Sequence, residues 1–184
     1  MIKVTLCEES GYPAALRGLS FNKKKDPKDM ERVAKRLSQF DGGHNKFLEM
    51  IIIWLEVKAP RYWWQEADTY RLSTKQSEST MHILIEEIKD LDDNMLMDFG
   101  SFNFEMNPGM KVLKELRYQA TKNDISKLKA LLPEGYLQRR MWCMSYKTLR
   151  NMYIQRKNHR LPLWQHFLSQ TLEQIDHPEF ITGE

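Results

Sequence analysis

Cysteine is nearly missing from this chain of 184 residues: Cys7 and Cys143 are the only two, far apart and outside any CxxC pair. A disulfide framework is thereby excluded, and a reducing, cytoplasmic setting is expected. Glycine (8) and proline (7) are too few for a collagenous or linker-dominated chain. Long hydrophobic runs are also missing. The longest, Met50 to Leu55, is far short of the roughly 20 apolar residues a membrane-spanning helix needs. The first residues carry no signal-peptide core. Excess charge of one sign is small, since 28 Lys and Arg against 25 Asp and Glu leave +3. A nucleic-acid or membrane-surface role would need a strong local basic patch, so neither partner is expected. What is left is a soluble single domain over 1–184, long enough to bury a sizeable core.

The pattern predicts an α/β (α+β) fold with a small, mostly antiparallel sheet. Ile2 to Leu6 alternates like a strand, broken at Gly11-Tyr12-Pro13. Asp26-Pro27 reads as a helix cap and first turn, followed by Met30, Val33, Ala34 and Leu37 at helical spacing and stopped by Asp41-Gly42-Gly43. Phe47 to Val57 is apolar at almost every position, the mark of a central strand covered on both faces. Pro60 opens a helix through Trp63 and Trp64, one of them expected in the core and the other at an interface. Residues 71–82 are hydroxyl-rich and read as a loop; 85–98 reads as a solvated acidic face. Asn107-Pro108-Gly109 is a turn, with helices expected over 110–120 and 123–132. A strand over 136–145, a helix over 146–157 and a last helix over 162–176 complete the chain.

Charge is uneven along this frame. Arg139, Arg140, Lys147, Arg150, Arg156, Lys157 and Arg160 fall in one window with no acid. They make a phosphate site if they converge and a solvated basic face if they do not. Strand alternation puts Arg139 in line with Leu137, Met141 and Cys143, and helical spacing puts Arg156 in line with Leu149, Met152 and Tyr153. An unpaired buried guanidinium is costly. These two arginines therefore either snorkel at element ends or reach a pocket holding an anion. His44, His82, His159, His166 and His177 show no HxxH, HxxxH or Cys/His pairing, so no metal site is expected. No Gly-rich phosphate loop, GxSxG or Cys/His arrangement supports a covalent nucleophile.

Several segments together resemble the flavin-dependent thymidylate synthases (the thymidylate synthase complementing protein family). Ala15-Leu16-Arg17-Gly18-Leu19-Ser20-Phe21 is similar to that family's AARVSF-like stretch. His44-Asn45-Lys46-Phe47-Leu48-Glu49-Met50 resembles HxTPFEH, with Met50 in place of the last histidine. Thr69 to His82 aligns with RHRxxSxNxxSxRY. Arg71 and Ser79 are kept there and Thr74 and Gln76 are conservative, while Thr69-Tyr70 replaces Arg-His, Ser77 replaces a frequent Glu and Met81 replaces the second arginine. Leu132-Pro133, Arg139, Trp142, Asn151, Arg156 and Trp164 follow LPxxxxTRxxW…NFxxLR…W, with one extra residue before Trp164 and Ser145 at a usual asparagine.

The resemblance implies FAD- and folate-dependent transfer of a one-carbon unit to C5 of a pyrimidine deoxynucleotide, most simply dUMP to dTMP. FAD is the implied cofactor, methylenetetrahydrofolate the donor and NADPH the reductant, in a homotetramer with shared active sites. It gives Arg156 and Ser79 catalytic roles, and assigns substrate binding to Arg139, Ser79, Arg156 and Arg140. Ser20, Arg71, Gln76 and Asn151 become flavin contacts. Two alternatives stand beside it. One is folate-dependent hydroxymethylation of dUMP or dCMP for modified bases, as would suit a compact, phage-like homologue; the other is a nucleotide-binding homologue without turnover.

Overall fold

The computed structural model describes residues 2–22, 26–89 and 108–183. Its strands are β1 (Lys3–Ser10), β2 (Ile52–Pro60), β3 (Ser73–Ser77) and β4 (Leu137–Ser145), in the order β1-β2-β4-β3 in one antiparallel sheet. The α-helices among the described residues are α1 (Tyr12–Phe21), α2 (Glu31–Ser38), α3 (Arg61–Ala67), α4 (Thr80–Lys89), α5 (Pro108–Thr121), α6 (Ile125–Leu131), α7 (Tyr146–Arg156), α8 (Leu163–Leu172) and α9 (Glu179–Thr182). This is the α+β class expected from the sequence. The chain groups into two compact units, Lys58–Asp68 with Ser77–Arg139, and Ile2–Val57 with Thr69–Gln76 and Arg140–Glu184.

In the first unit the apolar stripes of three helices close on one another. Leu84 and Ile88 of α4, Leu116 and Ala120 of α5, and Leu128 of α6 are buried with Leu132 and Tyr136. Asp124 caps α6, its carboxylate accepting the Lys127 N–H at 3.0 Å. The 132–136 segment receives α3: Arg61 N–H donates to the Tyr136 carbonyl at 3.0 Å and Tyr62 N–H to Glu134 at 3.2 Å. Trp63 and Trp64 are both fully buried, and Trp64 Nε1 donates to the Gln138 carbonyl at 3.1 Å. The expected split into one core and one interface tryptophan is thus corrected. α3 is short and covered on both of the flanks these residues occupy.

In the second unit the core is aromatic: Trp142 stacks on Phe167 at 5.5 Å, and Trp164 meets Phe167 edge-on at 6.0 Å. β1 lies at the sheet edge, where its backbone would otherwise template aggregation. Glutamine side chains cover it instead. Gln170 of α8 accepts the Val4 N–H at 3.0 Å and donates to the Ile2 carbonyl at 3.2 Å; Gln174 accepts the Leu6 N–H at 2.9 Å.

Gly11 turns β1 into α1 at φ +95°, and a Cβ there would sit 2.0 Å from the Met50 carbonyl oxygen, so only glycine fits. Asp26 caps the following 3₁₀ turn through Lys28 N–H at 2.9 Å, and Gly42 and Gly43 end the α2 region at positive φ, both as expected.

Three expectations change. Lys46–Met50 is a 3₁₀ turn, with Phe47 and Leu48 buried, and the strand begins only at Ile52. Residues 71–82 form β3 and the start of α4 instead of a loop. β3 is the sheet edge opposite β1, where polar side chains on both faces are tolerated. The last long helix ends at Leu172, ahead of the expected 176. Most of the acidic stretch 85–98 and Asn107 lie outside the described residues.

Candidate functional site

Helix α7 begins where Ser145 ends β4. The Ser145 hydroxyl accepts the Thr148 N–H at 3.3 Å, an N-cap made by the residue that stands at a usual asparagine in the family pattern. Asn151 is half-buried one turn further on. At the C-terminal end, Arg156 carries the Leu149–Met152 stripe into a half-buried position. Beyond it the chain turns back, with His159 N–H donating to the Arg156 carbonyl at 3.0 Å, before Pro162 starts α8.

That turn builds a cage around the guanidinium. Arg156 Nε donates to the Tyr70 hydroxyl at 2.9 Å, which itself donates to Gln155 Oε1 at 3.0 Å. Its Nη1 lies 2.7 Å from His159 Nε2, and its Cζ lies 4.8 Å from the centre of the buried Trp164 ring. The Trp164 contact is a cation–π pair that holds the charge without removing it. Arg156 is therefore oriented by aromatic and hydrogen-bonding partners.

Arg139 is placed differently. β4 buries Trp142 and Met144, which share a face with Arg140, while Arg139 is exposed on the face with half-buried Met141 and Cys143. The sequence-based alignment of Arg139 with core-facing positions is corrected: Leu137 is buried, but the strand's inner face is the other one. Within its unit Arg139 meets Glu78. Glu78 Oε2 is 3.4 Å from Arg139 Nε and Oε1 accepts the Arg139 N–H at 2.7 Å. Ser79, exposed, opens the α4 turn, its carbonyl accepting His82 N–H at 3.1 Å and Ile83 N–H at 3.2 Å. Burial raises the Glu78 carboxyl above the ordinary carboxylate range, with the Arg139 N–H opposing it.

Two of the seven cations of 139–160 are engaged by the 39–45 turn. Arg150, buried, lies 3.6 Å from Asp41 through Nη1 and donates to the Gln39 carbonyl at 3.2 Å, and Lys147 is 3.6 Å from the same carboxylate. These two pin the 39–45 turn to α7. Arg140 is half-buried.

Among the nominated flavin contacts, Ser20 is buried and donates to the Arg17 carbonyl at 2.8 Å. Arg71 and Gln76 are exposed beside and on β3. A cavity of about 470 Å³ opens between α1 and the 43–50 turn, lined by Ala15, Gly18 and Leu19 and by His44, Phe47 and Met50. Two segments far apart in sequence, each singled out by the resemblance, thus share one cleft. Burial pushes the Cys143 thiol up, leaving it a poor nucleophile. No cluster of ligands able to hold a metal occurs among the described residues.

Sequence reasoning missed Tyr70, His159 and Glu78 as functional neighbours. A signal existed for two of them: His159 follows Arg156 by three residues, and Glu78 is the single acid of 71–82.

No family model and no curated protein matches the chain. Solved structures do. The crystal structure of Thymidylate Synthase X (ThyX) from Helicobacter pylori with FAD and dUMP matches at TM-score 0.83 and 17% identity, over 100% of this chain and 98% of that one. A second structure of the flavin-dependent thymidylate synthase ThyX from Helicobacter pylori, complexed with FAD and dUMP, matches at TM-score 0.81 and 17% identity, over 98% of both. The chain shares the fold of these enzymes along its whole length, as the motif resemblance anticipated.

Proposed function

We propose that this chain is a flavin-dependent thymidylate-synthase-like enzyme that transfers a one-carbon unit from methylenetetrahydrofolate to C5 of a pyrimidine deoxynucleotide, most simply dUMP. The observation that carries the reading is the caged Arg156, kept at the family's arginine position in a chain whose fold matches end to end.

C5 of a pyrimidine attacks an electrophilic carbon as the nucleophilic end of an enolate-type system, fed by negative charge on the carbonyl side of the ring. Arg156, held by Tyr70 Oη at 2.9 Å and over Trp164, offers fixed N–H donors to that developing charge at no cost in reorganisation. Arg139 and the Ser79 hydroxyl supply the phosphate-binding groups, with Arg140 beside Arg139 in sequence. No protein nucleophile is required, in keeping with the raised Cys143 thiol.

The residues present fit a flavin dinucleotide. The 470 Å³ cleft is lined by Ala15, Leu19, Phe47 and Met50 together with His44, Lys46 and Glu49, offering apolar surface to a planar ring system and polar groups beside it. Arg71 and Gln76, both exposed, and half-buried Asn151 carry the N–H donors that the family resemblance assigns to its polar parts. FAD, once bound and reduced by NADPH, supplies the hydride that completes a methyl product. We further assign a cytoplasmic homotetramer, which light scattering would test.

Anaerobic incubation with dUMP and methylenetetrahydrofolate, with and without FAD and NADPH, read by mass spectrometry, is the direct test. A methyl product that needs both supports the proposal; colourless protein that takes up no FAD and forms no product overturns it. Hydroxymethylation of dUMP or dCMP is the second reading. It is favoured by Thr69-Tyr70 and Met81, which stand where the family pattern has Arg-His and a second arginine and so remove charge that would meet a flavin diphosphate. A hydroxymethyl product independent of NADPH would select it. Nucleotide binding without product under any condition would select a homologue without turnover.

A further inference from the structure

The reading above puts a phosphate on Arg139, yet in the structure that guanidinium already faces an anion. Glu78 and Arg139 are tied three times: Oε2 lies 3.4 Å from Nε, Oε1 accepts the Arg139 N–H at 2.7 Å, and the Glu78 N–H donates to the Arg139 carbonyl at 3.1 Å. The backbone links fix where the carboxylate sits, because neither depends on a rotamer of Arg139. The side chain of Glu78 is only 13% exposed, whereas that of Arg139 is 55% exposed. An oxyanion reaching Arg139 from solvent therefore meets a buried negative charge that cannot move far away.

The surroundings do not neutralise that charge. Glu87 of α4 adds a second carboxylate, engaged by the Tyr136 hydroxyl at 2.5 Å. Lys58 of β2 and Arg139 itself act in the opposite sense, and burial outweighs them, holding the Glu78 carboxyl above its ordinary range. His82, exposed in the first turn of α4, is another ionisable side chain nearby in sequence. Met81, where the family pattern has a second arginine, brings no further positive charge.

Resting on the assignment of Arg139 to an oxyanion, we infer that this site takes a phosphate- or sulfate-type dianion together with one proton, which Glu78 holds as a neutral acid. The proton comes from solvent. Glu78 then stops acting as the guanidinium's counter-ion, its O–H donates to an oxygen of the ligand, and Arg139 pairs with the ligand in its place. The Arg139 N–H keeps its bond to the remaining carboxyl oxygen. Binding is consequently coupled to pH: above the Glu78 pKa, affinity for a dianion falls about tenfold per pH unit.

Inorganic sulfate is the probe, because it stays a dianion from pH 5.5 to 8 and cannot itself take up the proton. Calorimetry of the full chain in buffers of different ionisation enthalpy at pH 7.5 is expected to show uptake approaching one proton per sulfate bound, with affinity rising as pH falls. Glu78→Gln is expected to bind sulfate with a flat pH profile and about tenfold more tightly than wild type at pH 7.5. Wild-type binding without proton uptake overturns the inference without needing any variant. Uptake that persists in Glu78→Gln assigns the proton elsewhere, to His82 for example, and also overturns it. Arg139→Ala separates the two levels: weakened sulfate and dUMP binding with a flat wild-type pH profile rejects the proton coupling alone. Unchanged binding in Arg139→Ala rejects the phosphate assignment and the coupling with it.

Discussion

Arg156 Nη1 points at His159 Nε2 from 2.7 Å, while the Leu161 N–H points at Nδ1 of the same ring from 3.2 Å. A neutral imidazole has one lone pair and one N–H. Whichever tautomer His159 adopts, one of these two donors faces another donor. In the tautomer that carries its proton on Nε2, a ligand oxygen at the proposed site would accept the guanidinium N–H that faces it. Replacing His159 with alanine removes the ring beside Arg156 Nη1 and keeps the Tyr70 hydroxyl and the Trp164 ring in place. The expected result is a folded protein with dUMP affinity lowered about tenfold, the scale of one hydrogen bond to a charged group. Equilibrium binding at fixed pH measures it, and an unchanged Kd would remove His159 from the site.

Tyr70→Phe isolates the hydroxyl from the ring. It deletes the acceptor 2.9 Å from Arg156 Nε and the donor to Gln155, but keeps the edge-on packing against Trp164 at 5.8 Å. Dispersion and stability should survive nearly intact, while pyrimidine-nucleotide binding drops about tenfold, on the order of 1.5 kcal/mol. Tyr70→His, which restores a ring nitrogen acceptor, should recover part of that loss. Melting temperature and Kd measured on the same preparations separate a positioning role from a packing one.

Gly11→Ala should prevent folding or cost more than about 3 kcal/mol. Two penalties combine: a left-handed φ of +95° and a Cβ placed 2.0 Å from the Met50 carbonyl oxygen, a backbone atom that no rotamer change can move. The same residue joins β1–α1 to the turn that lines the 470 Å³ cleft. Any Gly11→Ala protein recovered should therefore also lose flavin uptake, read by absorbance after incubation with FAD.

Most elements were legible wherever their apolar pattern faced a single surface. The β4–α7 unit is the clearest case, since Trp142 and Met144 alternate and Leu149 and Met152 keep helical spacing. β3 was not legible, because STKQS is polar on both faces and owes its strand form to pairing at the sheet edge. Arg156 could be read as half-buried from periodicity alone, but its partner Tyr70 lies 86 residues away, a pairing no local pattern encodes. Glu78 was hidden for the same reason, lying 61 positions from Arg139. Arg139 was misread because buried Leu137 sits on the strand's outer face and made that face resemble the core.

Tyr146 supplies the pH prediction. Fully buried at the start of α7, its hydroxyl donates to Glu9 at 2.5 Å and accepts the His177 N–H at 3.2 Å. Burial, then the hydrogen bond to Glu9 and its charge, raise its pKa well above the ordinary tyrosine value near 10. The unfolded chain would release this proton near pH 10 while the native chain still holds it. Above that point the unfolded state binds fewer protons than the native state, so stability falls as pH rises. The contribution is fully present below pH 10 and is lost between there and the native pKa, at about 1.4 kcal/mol per pH unit. Tyr146→Phe removes the ionisable group and with it that slope. At pH 7 the variant should instead be less stable by about 2 kcal/mol, because the Glu9 carboxylate and the His177 N–H lose their partner. Urea denaturation at pH 7, 9, 10 and 11 tests both signs, with wild-type and variant stabilities converging as pH climbs. Parallel curves across that range would show that the tyrosine ionises alike in both states.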